Sequence, residues 1–151
     1  FASSLSTWLA EGCALTVRTA VDGDRPCAGE VLIAGTDDHL VMRADGTVGY
    51  TPVPLDNPFR PSVDVLFESL APLGPTASVA ILLTGIGRDG AKGLLALRRA
   101  GWHTIAQDQA TSVVYGMPQA ARQLGAAAEI LPLTSIAAAT VHHVLSSKRF
   151  G

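Results

Sequence analysis

Three glycines and one carboxylate lie close together near the middle of this chain, in the segment Gly85-Ile86-Gly87-Arg88-Asp89-Gly90. An apolar run over 78–83 precedes the segment, and an amphipathic helix over 91–100 is predicted to follow it. In an open α/β sheet, such a turn lies at the carboxyl edge of a strand, where ligands bind and chemistry takes place. The segment therefore predicts a functional loop, and two different functions fit it.

A dinucleotide-binding loop is the first of these functions. Gly85, Gly87 and Gly90 have the Gly-x-Gly-x-x-Gly spacing. Asp108 ends the next predicted strand, at the offset where an acidic residue binds ribose hydroxyls in such proteins. The glycines would let backbone N–H groups approach a pyrophosphate at the helix N-terminus. The carboxylate of Asp89 counts against this function, because it would lie beside the phosphate.

Four ordered segments of the chain match a longer and more specific pattern. They are Arg60-Pro61-Ser62-Val63-Asp64-Val65-Leu66-Phe67, Leu83-Thr84-Gly85-Ile86-Gly87-Arg88-Asp89-Gly90-Ala91-Lys92-Gly93-Leu94, Thr104-Ile105-Ala106-Gln107-Asp108 and Ser112-Val113-Val114-Tyr115-Gly116-Met117-Pro118. In turn they resemble RPSVDVLF, LTGMG-x-DGA-x-GL, TIAQ(D/E) and VV(F/Y)GMP of the chemotaxis-type protein-glutamate methylesterases, the CheB family. Residues 1–17 resemble that family's F-T-x-S-F-A-x-R-L segment and the strand after it. Four ordered motifs are more specific than one glycine pattern, so we favour this resemblance.

The resemblance implies an α/β fold with a doubly wound, mostly parallel sheet of the Rossmann-like three-layer kind and an inserted β-hairpin. Residues 1–151 would form the C-terminal portion of the methylesterase catalytic domain. The family's first strand and its Gly-x-Ser-x-Gly-Gly nucleophile turn would then precede Phe1, as would any receiver domain. None of the serines in the chain has glycines at both flanking offsets of that turn.

A catalytic triad of serine, histidine and aspartate, in that chain order, follows from the same resemblance. Asp89 matches the aspartate, which holds the histidine in the right tautomer and stabilises the imidazolium. The serine and the histidine are expected upstream of Phe1, so this chain alone is expected to be inactive. The loop of Gly85, Ile86 and Gly87 is expected to give backbone N–H groups to the oxyanion hole, with isoleucine replacing the usual methionine. The alternative for Asp89 is a helix N-cap, a position that aspartate favours.

Two further side chains are candidates for a substrate cleft. His39 aligns with a histidine in the family's APG-x-x-H segment, although residues 34–36 read Ala-Gly-Thr here. The alternative for His39 is a polar turn residue between two hairpin strands. Arg60 is a candidate contact for an acidic substrate helix, and the alternative is that it merely precedes a favourable helix start over 61–64.

The function that the resemblance implies is hydrolysis of glutamate methyl esters on chemoreceptors, with deamidation of receptor glutamines as a related activity. The expected partners are the methylated cytoplasmic domain of a chemoreceptor, an upstream receiver domain and a chemotaxis histidine kinase, and the expected location is the cytoplasm. Segment 34–40 resembles surface-sensing, Wsp-type paralogues. The alternatives are a catalytically silent receptor-docking module and the dinucleotide-binding domain.

Composition argues against several other classes of function. A net charge of −2 and a pI near 6.0 give no reason to expect nucleic acid or an anionic membrane as partner. No apolar run approaches the roughly 18 residues that span a bilayer. The adjacent His142 and His143 diverge by about 100° on a helix and would not face one metal ion. We therefore expect no cofactor, no metal and no membrane insertion.

The predicted elements divide the chain into a β-rich half and an alternating half. In the first half, strands over 30–34 and 40–43 are predicted to pair, and Asp45-Gly46 forms a turn before another strand over 47–50. The other first-half elements are a helix over 3–11, a strand over 14–18, a loop over 52–61 and a helix over 61–70. The second half alternates strands over 78–83, 104–107 and 128–131 with helices over 91–100, 118–124 and 135–145. Such alternation predicts a parallel sheet with right-handed crossovers.

Overall fold

A computed structural model describes residues 1–74 and 78–148, which fall into two units divided after Ser62. The first unit contains α1 (Ala2–Glu11), β1 (Thr16–Thr19), β2 (Glu30–Ile33), β3 (His39–Met42) and β4 (Val48–Thr51). The second contains α2 (Val63–Leu70), a 3₁₀ turn (Ala71–Leu73), β5 (Val79–Leu82), α3 (Ala91–Arg99), β6 (His103–Gln107), α4 (Met117–Gln123), β7 (Glu129–Leu131) and α5 (Leu133–Lys148). The predicted elements are all found, each with ends within three residues of the prediction. None of the helices in these two ranges is long and apolar enough to cross a membrane.

The first unit has two separate pairs of strands. β1 and β2 pair in parallel, with Thr16 opposite Glu30, whereas β3 and β4 form an antiparallel hairpin. The predicted pairing of 30–34 with 40–43 is therefore wrong. The hairpin closes locally instead, because Gly46 adopts a left-handed φ of 82° and the Asp45 side chain accepts a hydrogen bond from the N–H of Thr47.

The second unit has a three-stranded parallel sheet in the order β5-β6-β7. The helices α3 and α4 connect these strands, as the alternating pattern predicts, and the unit has the mixed α/β character expected of the chain. Its apolar core combines small and large side chains: Ala80, Leu82, Ala91, Leu94, Leu97, Ala106, Ala120, Ala121 and Ala126. The many alanines leave little room between layers, so helices and sheet pack closely.

A glycine inside α3 sets the distance between α2 and α3. A Cβ added at Gly93 would lie 2.6 Å from Cβ of Phe67 and 3.0 Å from Cα of Asp64. Glycine in a helix interior costs about 1 kcal/mol relative to alanine, so its presence here is explained by the close approach of the two backbones. This approach places the first turn of α2 beside the first turn of α3, where the candidate site lies.

Candidate functional site

The loop after β5 is anchored to the loop after β6 by side chains that end both strands. The N–H of Thr84 donates to Oε1 of Gln107 at 2.8 Å. The Thr84 hydroxyl donates to the carbonyl of Val114 and accepts from the Val114 N–H, each at 2.9 Å. Gln107 is almost completely buried, and its Nε2 donates to the carbonyl of Thr111 at 2.8 Å. No role was predicted for Gln107 from the sequence, although a glutamine at the end of an apolar strand is a signal that could have indicated one.

Replacing Gln107 tests this anchor. Gln107→Met keeps the volume of the side chain but leaves the N–H of Thr84 and the carbonyl of Thr111 without their amide partners. Thr84 and Thr111 are exposed, so water can reach the groups that lose their partners, and each lost bond costs about 0.5–1.5 kcal/mol. We therefore expect the free energy of unfolding to fall by about 1–3 kcal/mol. Urea unfolding followed by circular dichroism measures the change, with the exposed Gln109→Met as the matched control. Equal midpoints for the two variants would contradict the role of Gln107.

Glycines let the two loops touch through their backbones. The carbonyl of Gly85 accepts from the N–H groups of Gly116 and Met117, at 3.2 and 2.9 Å. A Cβ added at Gly116 would lie 2.7 Å from the Gly85 oxygen and 3.0 Å from the nitrogen of Gly87. Among the residues that the structure describes, none accepts a hydrogen bond from the N–H of Ile86 or Gly87. The side chain of Ile86 is 79% exposed, so this stretch of backbone lies at the surface of the unit.

Asp89 is buried, and it caps a helix other than the one that it precedes. Its Oδ2 accepts a hydrogen bond from the N–H of Val63 at 2.7 Å, and its Oδ1 accepts one from the N–H of Asp64 at 3.1 Å. These are the first two N–H groups of α2. The alternative of an N-cap for the following helix is wrong, because the N-cap of α3 is Gly90, with φ of 87°. The two bonds fix the orientation of the Asp89 carboxylate through a neighbouring helix.

Asp64 completes the arrangement from the opposite side. Its Oδ1 accepts a hydrogen bond from the N–H of Gly93 at 2.7 Å. Burial raises the pKa of Asp64 above its ordinary value, and the nearby Asp89 charge adds to the increase, while the N–H groups of Gly93 and Gly90 oppose it. Asp89 thus caps α2, the helix that contains Asp64, and Asp64 caps α3, the helix that follows Asp89.

This arrangement counts against the dinucleotide function. A pyrophosphate would need the N–H groups at the start of α3, and the carboxyl group of Asp64 already accepts that of Gly93. Asp108, the candidate for ribose hydroxyls, instead accepts from the N–H and the hydroxyl of Thr111, at 2.9 and 2.6 Å. Within the described residues, no group of three or more His, Cys, Asp and Glu side chains could hold a metal ion.

His39 and Arg60 belong to the first unit, and the carbonyl of Pro54 accepts a hydrogen bond from each of these side chains. His39 is fully buried at the start of β3, so it is not a polar turn residue. The N–H of Ser62 donates to its Nδ1 at 3.0 Å, so the neutral ring carries its hydrogen on Nε2, which donates to Pro54 at 3.2 Å.

Arg60 lies beside a cavity of about 470 Å³. Its guanidinium donates to the carbonyl of Pro52 at 3.1 Å and to Oδ1 of Asp38 at 3.3 Å, and 29% of the side chain is exposed. Residues of α1, the segment 33–37 and Pro61 complete the lining of the cavity. The arginine is therefore held in place by backbone carbonyls while part of its side chain reaches solvent.

Comparisons with known proteins agree with one another. A family model described as CheB methylesterase matches residues 1–140. The chain is 55% identical over 137 residues to protein-glutamate methylesterase/protein-glutamine glutaminase 2 of Cupriavidus metallidurans, covering 91% of this chain and 40% of that protein. Its identity to the protein of the same name from Burkholderia orbicola is 56% over 137 residues, with 91% and 41% covered. The chain thus spans about 40% of the length of the curated relatives that it matches.

A solved structure gives the same result for the fold. The crystal structure of the Thermotoga maritima CheB methylesterase catalytic domain matches the chain with a TM-score of 0.88 and 34% sequence identity. The match covers 94% of this chain and 77% of that one.

Proposed function

The chain belongs to the CheB methylesterase family, and we propose that it supplies the triad carboxylate and part of the oxyanion hole of a protein-glutamate methylesterase. One observation carries the proposal. The buried carboxylate of Asp89 is fixed by two backbone N–H groups, three residues after Ile86 in the same loop. The N–H groups of Ile86 and Gly87 have no acceptor among the described residues and could donate to an oxyanion. Residues 1–151 are, in this proposal, the C-terminal portion of the catalytic domain.

The proposed reaction is an acyl transfer through a serine. A serine and a histidine upstream of Phe1 complete the triad: the histidine removes the serine proton as the oxygen attacks the ester carbonyl. The carboxylate of Asp89 orients the histidine and stabilises the imidazolium. Negative charge develops on the carbonyl oxygen, which accepts from the N–H groups of Ile86 and Gly87. The histidine then protonates the leaving methanol, and water hydrolyses the acyl-serine to free glutamate.

The proposed substrates follow from the chemistry named for the relatives. Those relatives are called protein-glutamate methylesterase/protein-glutamine glutaminase, so we propose that this protein hydrolyses glutamate methyl esters and glutamine amides. Both reactions pass through a tetrahedral intermediate with the same oxyanion, and only the leaving group differs. The substrate-bearing partner is the cytoplasmic domain of a chemoreceptor, and the remaining partners are a receiver domain and a chemotaxis histidine kinase in the cytoplasm.

Arg60 and His39 are proposed to shape the substrate cleft, Arg60 by direct contact and His39 through Pro54. The carbonyl of Pro54 accepts from both side chains, so His39 helps to fix the loop that holds the guanidinium. Arg60→Gln removes the charge that would meet an acidic receptor helix, and we expect KM to rise about 5-fold with kcat unchanged, since an exposed ion pair contributes about 1 kcal/mol. Steady-state kinetics with methylated receptor measure the effect. Arg25→Gln is the control, and an equal KM in both variants would contradict the proposal.

Product analysis with the intact protein tests the function itself. Methanol should be released from a methylated receptor, and ammonia from a receptor with glutamine at the same positions. Binding of the receptor without either product would instead support the catalytically silent docking module. Titration with NAD and NADP, followed by the fluorescence of Trp8 and Trp102, tests the dinucleotide function, and no change in fluorescence is expected.

A further inference from the structure

The first turns of α2 and α3 are joined by a reciprocal cap, which we define as the carboxyl groups of Asp64 and Asp89 with the N–H groups that they accept. Asp89 accepts from the first two residues of α2, and Asp64 accepts from Gly93 in the first turn of α3. Asp64 takes part twice: its own N–H donates to Asp89, and its carboxyl group accepts from the N–H of Gly93. In ordinary capping, a side chain accepts from the free N–H groups of the helix that it precedes, whereas here the acceptor for each helix comes from the other helix or from the loop before it.

We propose that Asp64 is a positioning residue for catalysis, which holds the turn that carries Asp89. The inference rests on the function proposed above. Gly93 lies in the first turn of α3, four residues after Asp89, so its bond to Asp64 fixes the turn that connects the triad carboxylate to this helix. The N–H of Asp64 fixes the orientation of the carboxylate itself through Oδ1. Turning the Asp89 side chain away from its histidine would therefore require Asp64 to move as well.

A purely structural cap would not need a charged side chain at position 64. Asparagine and serine cap helices about as well as aspartate does. Aspartate at this position instead places a second negative charge next to Asp89, in a partly buried environment that raises the pKa of Asp64. Lys92 of α3 is the cationic group that offsets this charge. The second charge strengthens the field that stabilises an imidazolium, so Asp64 should also raise the basicity of the triad histidine.

The pKa of Asp64 gives a sign for the dependence of stability on pH. Because the folded state holds this proton more tightly than the unfolded chain does, Asp64 favours the fold below the ordinary carboxyl pKa. This contribution is lost as pH rises through the raised pKa. Asp64→Asn cannot ionise, and its amide oxygen can still accept from the N–H of Gly93. The variant should therefore lose less stability than the parent between pH 4 and pH 7.

Three variants of the intact protein test the positioning role by methanol release. Asp64→Ala removes the acceptor and should lower kcat about 10- to 100-fold, with KM within about 2-fold of the parent. Asp64→Asn restores the acceptor and should recover kcat to within about 3-fold. Its kcat/KM profile should have an acid limb displaced to lower pH by about one unit, because the second negative charge is absent. Glu68→Gln removes an exposed carboxylate one turn along α2 and should match the parent.

Two results would overturn the inference. One is a kcat for Asp64→Ala within 2-fold of the parent. The other is an acid limb of the kcat/KM profile that stays in place in Asp64→Asn, which a merely structural cap would produce, because asparagine restores the acceptor without the charge. If the parent releases neither methanol nor ammonia, the proposed function fails instead. The amide signal of Val63 in ¹⁵N-valine-labelled protein then decides the positioning role: it should move in Asp64→Ala, return in Asp64→Asn and stay unchanged in Glu68→Gln. An unmoved signal in Asp64→Ala overturns the inference.

Discussion

Asp89→Asn is expected to lower kcat for methanol release about 10⁴-fold, which is the typical loss when a triad carboxylate becomes an amide. An amide in this position favours the wrong tautomer of the histidine and does not stabilise the imidazolium. KM should change little, because the carboxylate does not contact the substrate in the proposed mechanism. Asp89 is buried and accepts from two backbone N–H groups, so water cannot take the place of the missing negative charge. The loss of kcat is therefore electrostatic in origin.

The same substitution should also destabilise the start of α2. Two different oxygens of Asp89 accept from the N–H groups of Val63 and Asp64, and asparagine has only one oxygen. One N–H group of α2 would face an amide NH₂ group, which is also a donor. We expect the free energy of unfolding to fall by about 1–3 kcal/mol, so a reduced fraction of folded protein has to be measured separately from kcat.

Single-turnover methanol release and urea unfolding on the same samples separate the two effects. Asp56→Asn, a change of the same kind at an exposed position, is the control and should behave as the parent. If Asp89→Asn retains parental kcat while it loses stability, then Asp89 is only a helix cap and the assignment to the triad is wrong.

Gly116→Ala is expected to have the second-largest effect, a loss of about 10²- to 10³-fold in kcat. The added Cβ would lie 2.7 Å from the oxygen of Gly85 and 3.0 Å from both the nitrogen and the oxygen of Gly87. These are backbone atoms, so the contact can be relieved only by moving one of the two loops, which changes the position of the loop that carries Ile86 relative to the loop that carries Gly116. Loss of one oxyanion donor typically costs 10²- to 10³-fold, and displacement of that loop should have a comparable effect.

The control for this prediction is a glycine with space around it. Gly12 has a negative φ of −105°, and a Cβ there would have nothing within 4 Å, so Gly12→Ala should retain full activity. Steady-state methanol release compares the two variants. Parental kcat in Gly116→Ala would show that the loop adapts without loss, and that its geometry does not limit the reaction.

The regular elements could be predicted from the sequence because their apolar periodicity is local. The glycines and the carboxylate between β5 and α3 were likewise predicted to form a functional loop. The exception among the strands is the segment over 30–34, which pairs with β1 and not with the strand that follows it. Periodicity gives the faces of a strand but not its partner, and the longer connection between two parallel strands does not reveal the pairing, even where it contains turns.

The contacts of the site were less predictable, since they join residues that are distant in the chain. Aspartate before a helix is an ordinary N-cap signal, yet Asp89 caps α2, because Gly93 allows the two helices to approach closely. Gln107 resembles any polar residue at the end of a strand until the loops on either side of it are placed. His39 was predicted as either a cleft or a turn residue, and its complete burial follows from the hairpin and the proline loop together.

The reciprocal cap joins residues that are distant in the chain, so it cannot form at the start of folding. The bonds of Asp89 to Val63 and Asp64, and of Asp64 to Gly93, join residues that are 25 to 29 positions apart, across a segment that contains β5. Contacts of this kind form only after the intervening chain has closed on itself, at an entropic cost that local turns do not carry. In a nascent or partly folded chain, Asp89 would therefore have no fixed direction. The carboxylate should therefore reach its fixed orientation only when folding of this unit is complete.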